Sequence, residues 1–216
     1  LRLESVSLLS PVARPARVVA VRTNYQGDGP PAQSGSTAAA PDLFLKSATS
    51  ISGPSDGLEL RLPGRRTDHE VELAVVIGRR TDRVAVPDAL EAVAGYCIGV
   101  DFTLRGDEDR GLRKSLDGYT TLGPWLTTPD EAGPIDDLRI SLAVNGTQRQ
   151  GGRTGDMIHG VAEIIACASR YFPLLPGDVI LTGTPPGAGP VAAGDVLHCA
   201  IQNLGEISVA VRAAQV

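Results

Sequence analysis

Lysine is almost missing from this 216-residue chain: of 20 basic residues only Lys46 and Lys114 are lysine, and the others are arginine. The two cations substitute for one another on most solvated surfaces and part company only at special sites. A general preference for arginine explains the skew, and each surviving lysine becomes a candidate for work that arginine cannot do. Long apolar runs are also missing. Even Leu73–Ile77 is closed by Gly78-Arg79-Arg80, well short of the roughly 18 residues of a membrane span. Cysteine is scarce: Cys97, Cys167 and Cys199 are odd in number and far apart, so neither a disulfide framework nor a zinc site is suggested. There is no basic run either. With a net charge of −5 and scattered arginines, the chain lacks the basic face that phosphate contacts require, which argues against a nucleic-acid partner. Leu1–Ala20 shows no long apolar segment and no initiating Met. The expectation is a trimmed chain without a signal peptide, and a cytoplasmic protein with no membrane partner.

Aromatics are only 4%, while Gly (25) and Pro (16) punctuate short runs rich in Val, Ile and Leu. That pattern is β-rich. Strands are expected at Ala16–Val21, Leu58–Leu62, Glu70–Ile77, Ala94–Asp101, Arg139–Val144, Val179–Thr182, Val196–Ile201 and Glu206–Val211. Helices are expected at Pro87–Ala94 and Gly160–Tyr171, the latter with apolar residues at 161, 164, 165 and 168. Asn145-Gly146 is a two-residue hairpin signal. Between Asn24 and Pro41 the composition shifts to Gly, Pro, Ser, Ala and Gln, as in a lid or a loose connection. The length suits one domain, here residues 16–216, with residues 1–15 as a lead-in segment.

The strongest local signal is Glu70-Val71-Glu72. On a strand these two carboxylates project from the same face about 7 Å apart, and His69 and Val71 from the other. By itself such a pair is more often a solvated strand face than a cation site. However, the strand continues into the almost wholly apolar Leu73–Ile77, and carboxylates at the start of a buried strand need a counter-charge. Asp101 closes another apolar run; it is equally well a strand-end cap or a third acid. Three carboxylates with waters suit Mg²⁺ or Mn²⁺. Further on come Arg113-Lys114-Ser115-Leu116-Asp117-Gly118 and Pro176-Gly177-Asp178-Val179-Ile180, the latter leading into a Gly/Pro-rich loop. That loop is not a phosphate loop, since no Gly-Lys-Ser/Thr follows. His159 and His198 read as structural histidines.

Together these pieces resemble the fumarylacetoacetate hydrolase family from Arg22 to Val211. The matching residues are Asn24-Tyr25, Phe44-Leu45-Lys46, Glu70 to Gly78, Gly95-Tyr96, Asp101-x-Thr103-x-Arg105, Lys114 to Gly118, and Pro176 to Ile180 followed by Thr182-Gly183-Thr184-Pro185. The likeness is greatest to the branch of 2-hydroxyhepta-2,4-diene-1,7-dioate isomerases and related decarboxylases. It implies a mainly β (α+β) fold, a mixed β-sandwich roll with short helices, and a homodimer. It implies Mg²⁺ (or Mn²⁺) held by Glu70, Glu72 and Asp101, with Lys114 catalytic. Tyr25, Lys46, Arg105, Gly183 and Thr184 are the implied substrate-binding residues, for a small-molecule 2-oxo acid.

One stretch departs from the family. Members that hydrolyse carbon–carbon bonds follow Asn-Tyr with two residues, a His, two more residues and a Glu, a dyad that activates water. Here Asp28 stands at the His position and Pro31 at the Glu position. Asp28 remains a weak candidate base, and water-dependent hydrolysis is put in doubt. Enolisation and metal-assisted decarboxylation need no activated water, so an isomerase, tautomerase or decarboxylase is the first expectation. A C–C hydrolase of acylpyruvate or fumarylacetoacetate type is the alternative, and an inactive ligand-binding relative is a third.

Overall fold

A computed structural model describes residues 5–13, 15, 17–26 and 40–214. Its strands are β1 (Val18–Arg22), β2 (Asp42–Lys46), β3 (Ile51–Ser52), β4 (Leu58–Leu60), β5 (Thr67–Ile77), β6 (Val93–Leu104), β7 (Thr120–Thr127), β8 (Arg139–Val144), β9 (Thr147–Arg153), β10 (Val179–Leu181), β11 (Gly189–Val191), β12 (Val196–Ile201) and β13 (Gly205–Ala213). Three α-helices accompany them: α1 (Arg110–Lys114), α2 (Pro129–Ala132) and α3 (Val161–Tyr171). No described helix is long and apolar enough to cross a membrane.

The strands form two sheets. The larger runs β2-β1-β10-β5-β6-β7-β3, with β11 also pairing β5; the smaller runs β4-β13-β12-β8-β9. Most neighbours are antiparallel, and β1–β10, β3–β7 and β4–β13 are parallel. Alternation along β5 divides the larger sheet into two faces. Val71, Leu73, Val75 and Ile77 point into the main core, where they join Leu142, Leu197 and Val209 of the smaller sheet and Ile164 and Ile165 of α3. On the opposite face Ala74 and Val76 pack with Val18, Ala20, Cys97, Val179 and Leu181 in a smaller cluster. Glu70 and Glu72 continue that second face beyond the end of the apolar cluster.

The mainly β expectation is met, and β8 and β12 keep their expected bounds. Asn145 (φ 50°) and Gly146 (φ 78°) both occupy the left-handed region between β8 and β9, as a type I′ hairpin turn requires. Differences have local causes. The helix expected at Pro87–Ala94 is a 3₁₀ turn over Val86–Ala92 that runs directly into β6. The strand expected from Glu70 begins at Thr67, because the polar Asp68 and His69 are buried with satisfied partners. Strand β7 carries Gly123-Pro124 in its middle, a dipeptide that reads as a turn.

Candidate active site

Register in the β5–β6 pair builds the centre. Glu70 lies opposite Asp101, and Glu72 opposite Gly99. Cross-strand partners share a face, so Asp101 joins the two glutamates, and carboxylate oxygens of all three lie within 4.8 Å of one another. Gly99 has no room for a side chain: a Cβ there would come within 2.7 Å of Leu181 Cδ2. His69, on the other face, meets Gln150 Oε1 through Nδ1 at 3.0 Å.

Both lysines serve this cluster. Lys114, at the end of α1, donates to Glu70 Oε2 and Asp101 Oδ2, each at 2.6 Å. Lys46, at the end of β2, donates to Asp101 Oδ1 and, at 3.0 Å, to the carbonyl of Tyr119. Burial holds the Lys46 ammonium below its usual pKa. Burial pulls Lys114 the same way, but Asp101, Glu70 and Glu72 outweigh it and leave that pKa raised. Glu72 is the odd member: no cation lies within ion-pair distance of it among the described residues, and its carboxylate accepts from Gly183 N–H at 2.6 Å. Burial, reinforced by Asp101, pushes its pKa well up. Three carboxylates converge in a buried place and Glu72 among them has no cation of its own among the described residues, a donor set that a hard cation would complete and hold ionised. The residues therefore fit Mg²⁺ or Mn²⁺.

Further polar contacts fix these groups. Thr103 Oγ1 donates to Glu70 Oε1 at 2.8 Å. Arg105 Nε donates to the buried Asp68 at 2.7 Å, and its Nη2 stands 3.6 Å from Glu70. Asn24 ties three segments together through its side chain, donating to the carbonyls of Thr182 (2.8 Å) and His159 (2.9 Å) and accepting from His159 N–H (2.8 Å). Gly183 has φ 94°, and a Cβ on it would lie 2.7 Å from the Asn24 Cβ, so only glycine brings that N–H up to Glu72 without strain.

The cluster opens into a cleft of about 230 Å³. Of the residues expected at the site, Glu70, Glu72, Arg105, Lys114, Gly183 and Thr184 line it. Asp101 and Lys46 lie beneath the wall, fully buried. Lys46, expected to touch substrate, is thus committed to Asp101. Tyr25 is buried off the wall, its hydroxyl without a hydrogen-bond partner among the described residues; burial, with Glu72 and Asp156, pushes its pKa up. The Thr184 hydroxyl is engaged, donating to the Val71 carbonyl at 2.7 Å and accepting from Gln150 at 2.8 Å. Asp28 and Pro31 lie outside the described residues. Arg22, Asn24, Phe44 and Arg110 also line the cleft. No site role was read for them in the sequence, although Arg110 stands four residues before Lys114, one helical turn away.

Fold and site together define a metal-ready member of an enzyme family, and residues 17–212 match the family model described as "Fumarylacetoacetate (FAA) hydrolase C-terminal". The chain belongs to the fumarylacetoacetate hydrolase family. It is 45% identical over 221 residues to maleylpyruvate hydrolase of Aquipseudomonas alcaligenes, covering 97% of this chain and 77% of that protein. It is 39% identical over 215 residues to the human mitochondrial oxaloacetate tautomerase FAHD2A, covering 94% and 68% respectively. Among solved structures, maleylpyruvate hydrolase from Sphingobium sp. SYK-6 in complex with manganese (II) ion and pyruvate superposes with a TM-score of 0.89 at 38% identity, over 100% of this chain and 77% of that one.

Proposed function

We propose that this chain is a divalent-metal-dependent enzyme that stabilises the enolate of a 2-oxo acid, acting as a tautomerase or decarboxylase. The observation that carries the reading is the convergence of Glu70 and Glu72, on the cleft wall beside Lys114, with Asp101 just beneath it. These three carboxylates would hold Mg²⁺ or Mn²⁺, which when bound supplies a Lewis acid toward the paired oxygens of a 2-oxo acid. Lys114 keeps a positive charge on the cleft wall, where negative charge develops as the enolate forms. Its ammonium is compact, and with Asp101, Glu70 and Glu72 raising its pKa it keeps its proton and acts as a fixed positive charge that fits between carboxylates where a flat guanidinium does not. Gly183 N–H and Thr103 orient the two glutamates so that the donor set is held before substrate arrives.

Tautomerase or decarboxylase chemistry is preferred because Asp28 and Pro31 replace the residues that activate water in the hydrolytic members. Identity to a maleylpyruvate hydrolase favours a second reading, hydrolysis of an acylpyruvate, with another group activating water. The two separate in one assay. Protein loaded with Mg²⁺ or Mn²⁺ is given oxaloacetate, with enol–keto conversion and pyruvate release followed, and in parallel maleylpyruvate. Metal-dependent turnover of oxaloacetate is expected. Maleylpyruvate cleavage at about 1 s⁻¹ or faster, within the ordinary enzymatic range, would establish the second reading instead.

A further inference from the structure

Among the described residues four cations stand on the cleft wall, and three are committed. Lys114 is bound to Glu70 and Asp101, Arg105 to Asp68, and Arg22 faces Asp42 at 3.6 Å. The fourth is Arg110. Its side chain forms no ion pair or hydrogen bond among the described residues, and Asp42 and Glu70 act on it only through space. Its guanidinium carbon lies 5.8 Å from the centre of the Phe44 ring, and the residue is half-buried. Burial, with Arg22 nearby, holds its pKa below the usual value, as expected of a cation whose charge is incompletely answered.

Placement gives this free fork a direction. Arg110 and Lys114 are four residues apart on α1, hence neighbours on one helix face. Lys114 Nζ also lies 5.8 Å from the Phe44 ring centre, so the ring contacts both cations. Phe44 and Arg110 thus line the same cleft as Glu70, Glu72 and Lys114.

We propose that Arg110 binds the distal carboxylate of a dicarboxylic 2-oxo acid and so selects dicarboxylic over monocarboxylic substrates. This rests on the reading of the carboxylate cluster as a site for a 2-oxo acid head. A guanidinium presents paired donors that match a carboxylate bidentately, and Phe44 supplies the apolar side against which the connecting carbons pack.

The test is calorimetric binding to the full chain in saturating Mg²⁺, with three probes. Oxalate reads the head site alone; 2-oxoglutarate and 2-oxovalerate share one carbon skeleton and differ in a terminal carboxylate against a methyl group. The wild type is expected to prefer 2-oxoglutarate by roughly 10- to 100-fold, the scale of a charge-assisted pair. Arg110→Gln is expected to reduce that preference to less than about threefold, while oxalate and 2-oxovalerate bind as before; unchanged oxalate affinity also shows that the variant is folded. Arg110→Lys, which keeps charge but not the fork, should fall between. An undiminished preference in Arg110→Gln, or none in the wild type, overturns the Arg110 assignment while the head site stands. Failure of oxalate to bind the Mg²⁺-loaded wild type removes the head-site reading and this proposal with it.

Discussion

Lys114→Met separates the electrostatic role of this lysine from its place in the cleft. Methionine keeps most of the apolar stem and removes the charge, leaving Glu70 and Asp101 without the ammonium that each meets at 2.6 Å. Deleting one partner of a buried ion pair costs about 3–5 kcal/mol, because the remaining charge stays buried and unanswered. Asp101 retains Lys46 and the Glu70 side chain is partly exposed, so the lower end, about 3 kcal/mol, is expected for the metal-free protein. For a chain of this size that corresponds to a fall in Tm of roughly 6–12 °C. Urea and thermal unfolding after EDTA treatment read the loss directly. Adding Mg²⁺ supplies the second half of the test. At about one hundred times its Kd a cation stabilises the folded state by about 2.7 kcal/mol. It should bind the variant more tightly than the wild type, because it then replaces positive charge as well as completing the carboxylate donor set. Metal-free Lys114→Met within about 1 kcal/mol of wild type, or a larger Mg²⁺ stabilisation of the wild type than of the variant, would refute the electrostatic account.

Other consequences are as direct. Glu72→Gln should abolish measurable Mg²⁺ and Mn²⁺ binding in calorimetry, a loss beyond the roughly 10–100-fold typical of outer-shell changes. The same variant should be at least as stable as wild type without metal, since it removes a buried carboxylate that no described cation pairs; retained metal affinity would defeat its assignment as a ligand. Lys114→Arg keeps the charge but places a planar fork where an ammonium bridges two carboxylates, and kcat is expected to fall about 10- to 100-fold with oxaloacetate, scored against wild type at saturating metal. All three cysteines are buried. Burial pushes Cys97 up to about 12 and raises Cys199 and Cys167 as well, so a thiol reagent at pH 8 should find no fast-reacting thiol in the native protein and three after denaturation; a single rapid native equivalent would contradict the packing.

Much of the fold was legible because its signals are short-range. The period-two alternation in β8 and β12 and the Asn-Gly turn are complete within a few residues, and those elements appear where the sequence puts them. Segments whose stability comes from distant partners were not legible. Asp68 and His69 belong to β5 because Arg105 and Gln150 reach them from distant parts of the chain, with the neighbouring Arg66 also pairing Asp68. Helix α1 has five residues, too few for a helical period to show, and Arg110 passed unremarked with it. The site follows the same division. Alternation places Glu70 and Glu72 on one face, whereas bringing Asp101 to them depends on the antiparallel register of β5 and β6, which no stretch of sequence states alone.

The scarcity of lysine acquires a structural sense at this point. In a chain that otherwise uses arginine for its basic residues, both lysines donate to one buried carboxylate, Lys46 to one oxygen of Asp101 and Lys114 to the other. An ammonium is a compact point charge whose three donors can be shared among acceptors that do not lie in one plane, as Lys114 is shared between Glu70 and Asp101. A guanidinium needs a flat fork-shaped space and stays protonated under all ordinary conditions. On the cleft rim, where shape is less constrained, the chain returns to arginine at 22, 105 and 110. The choice of cation therefore follows depth: lysine where charge must fit between buried carboxylates, arginine where the side chain reaches the cleft rim.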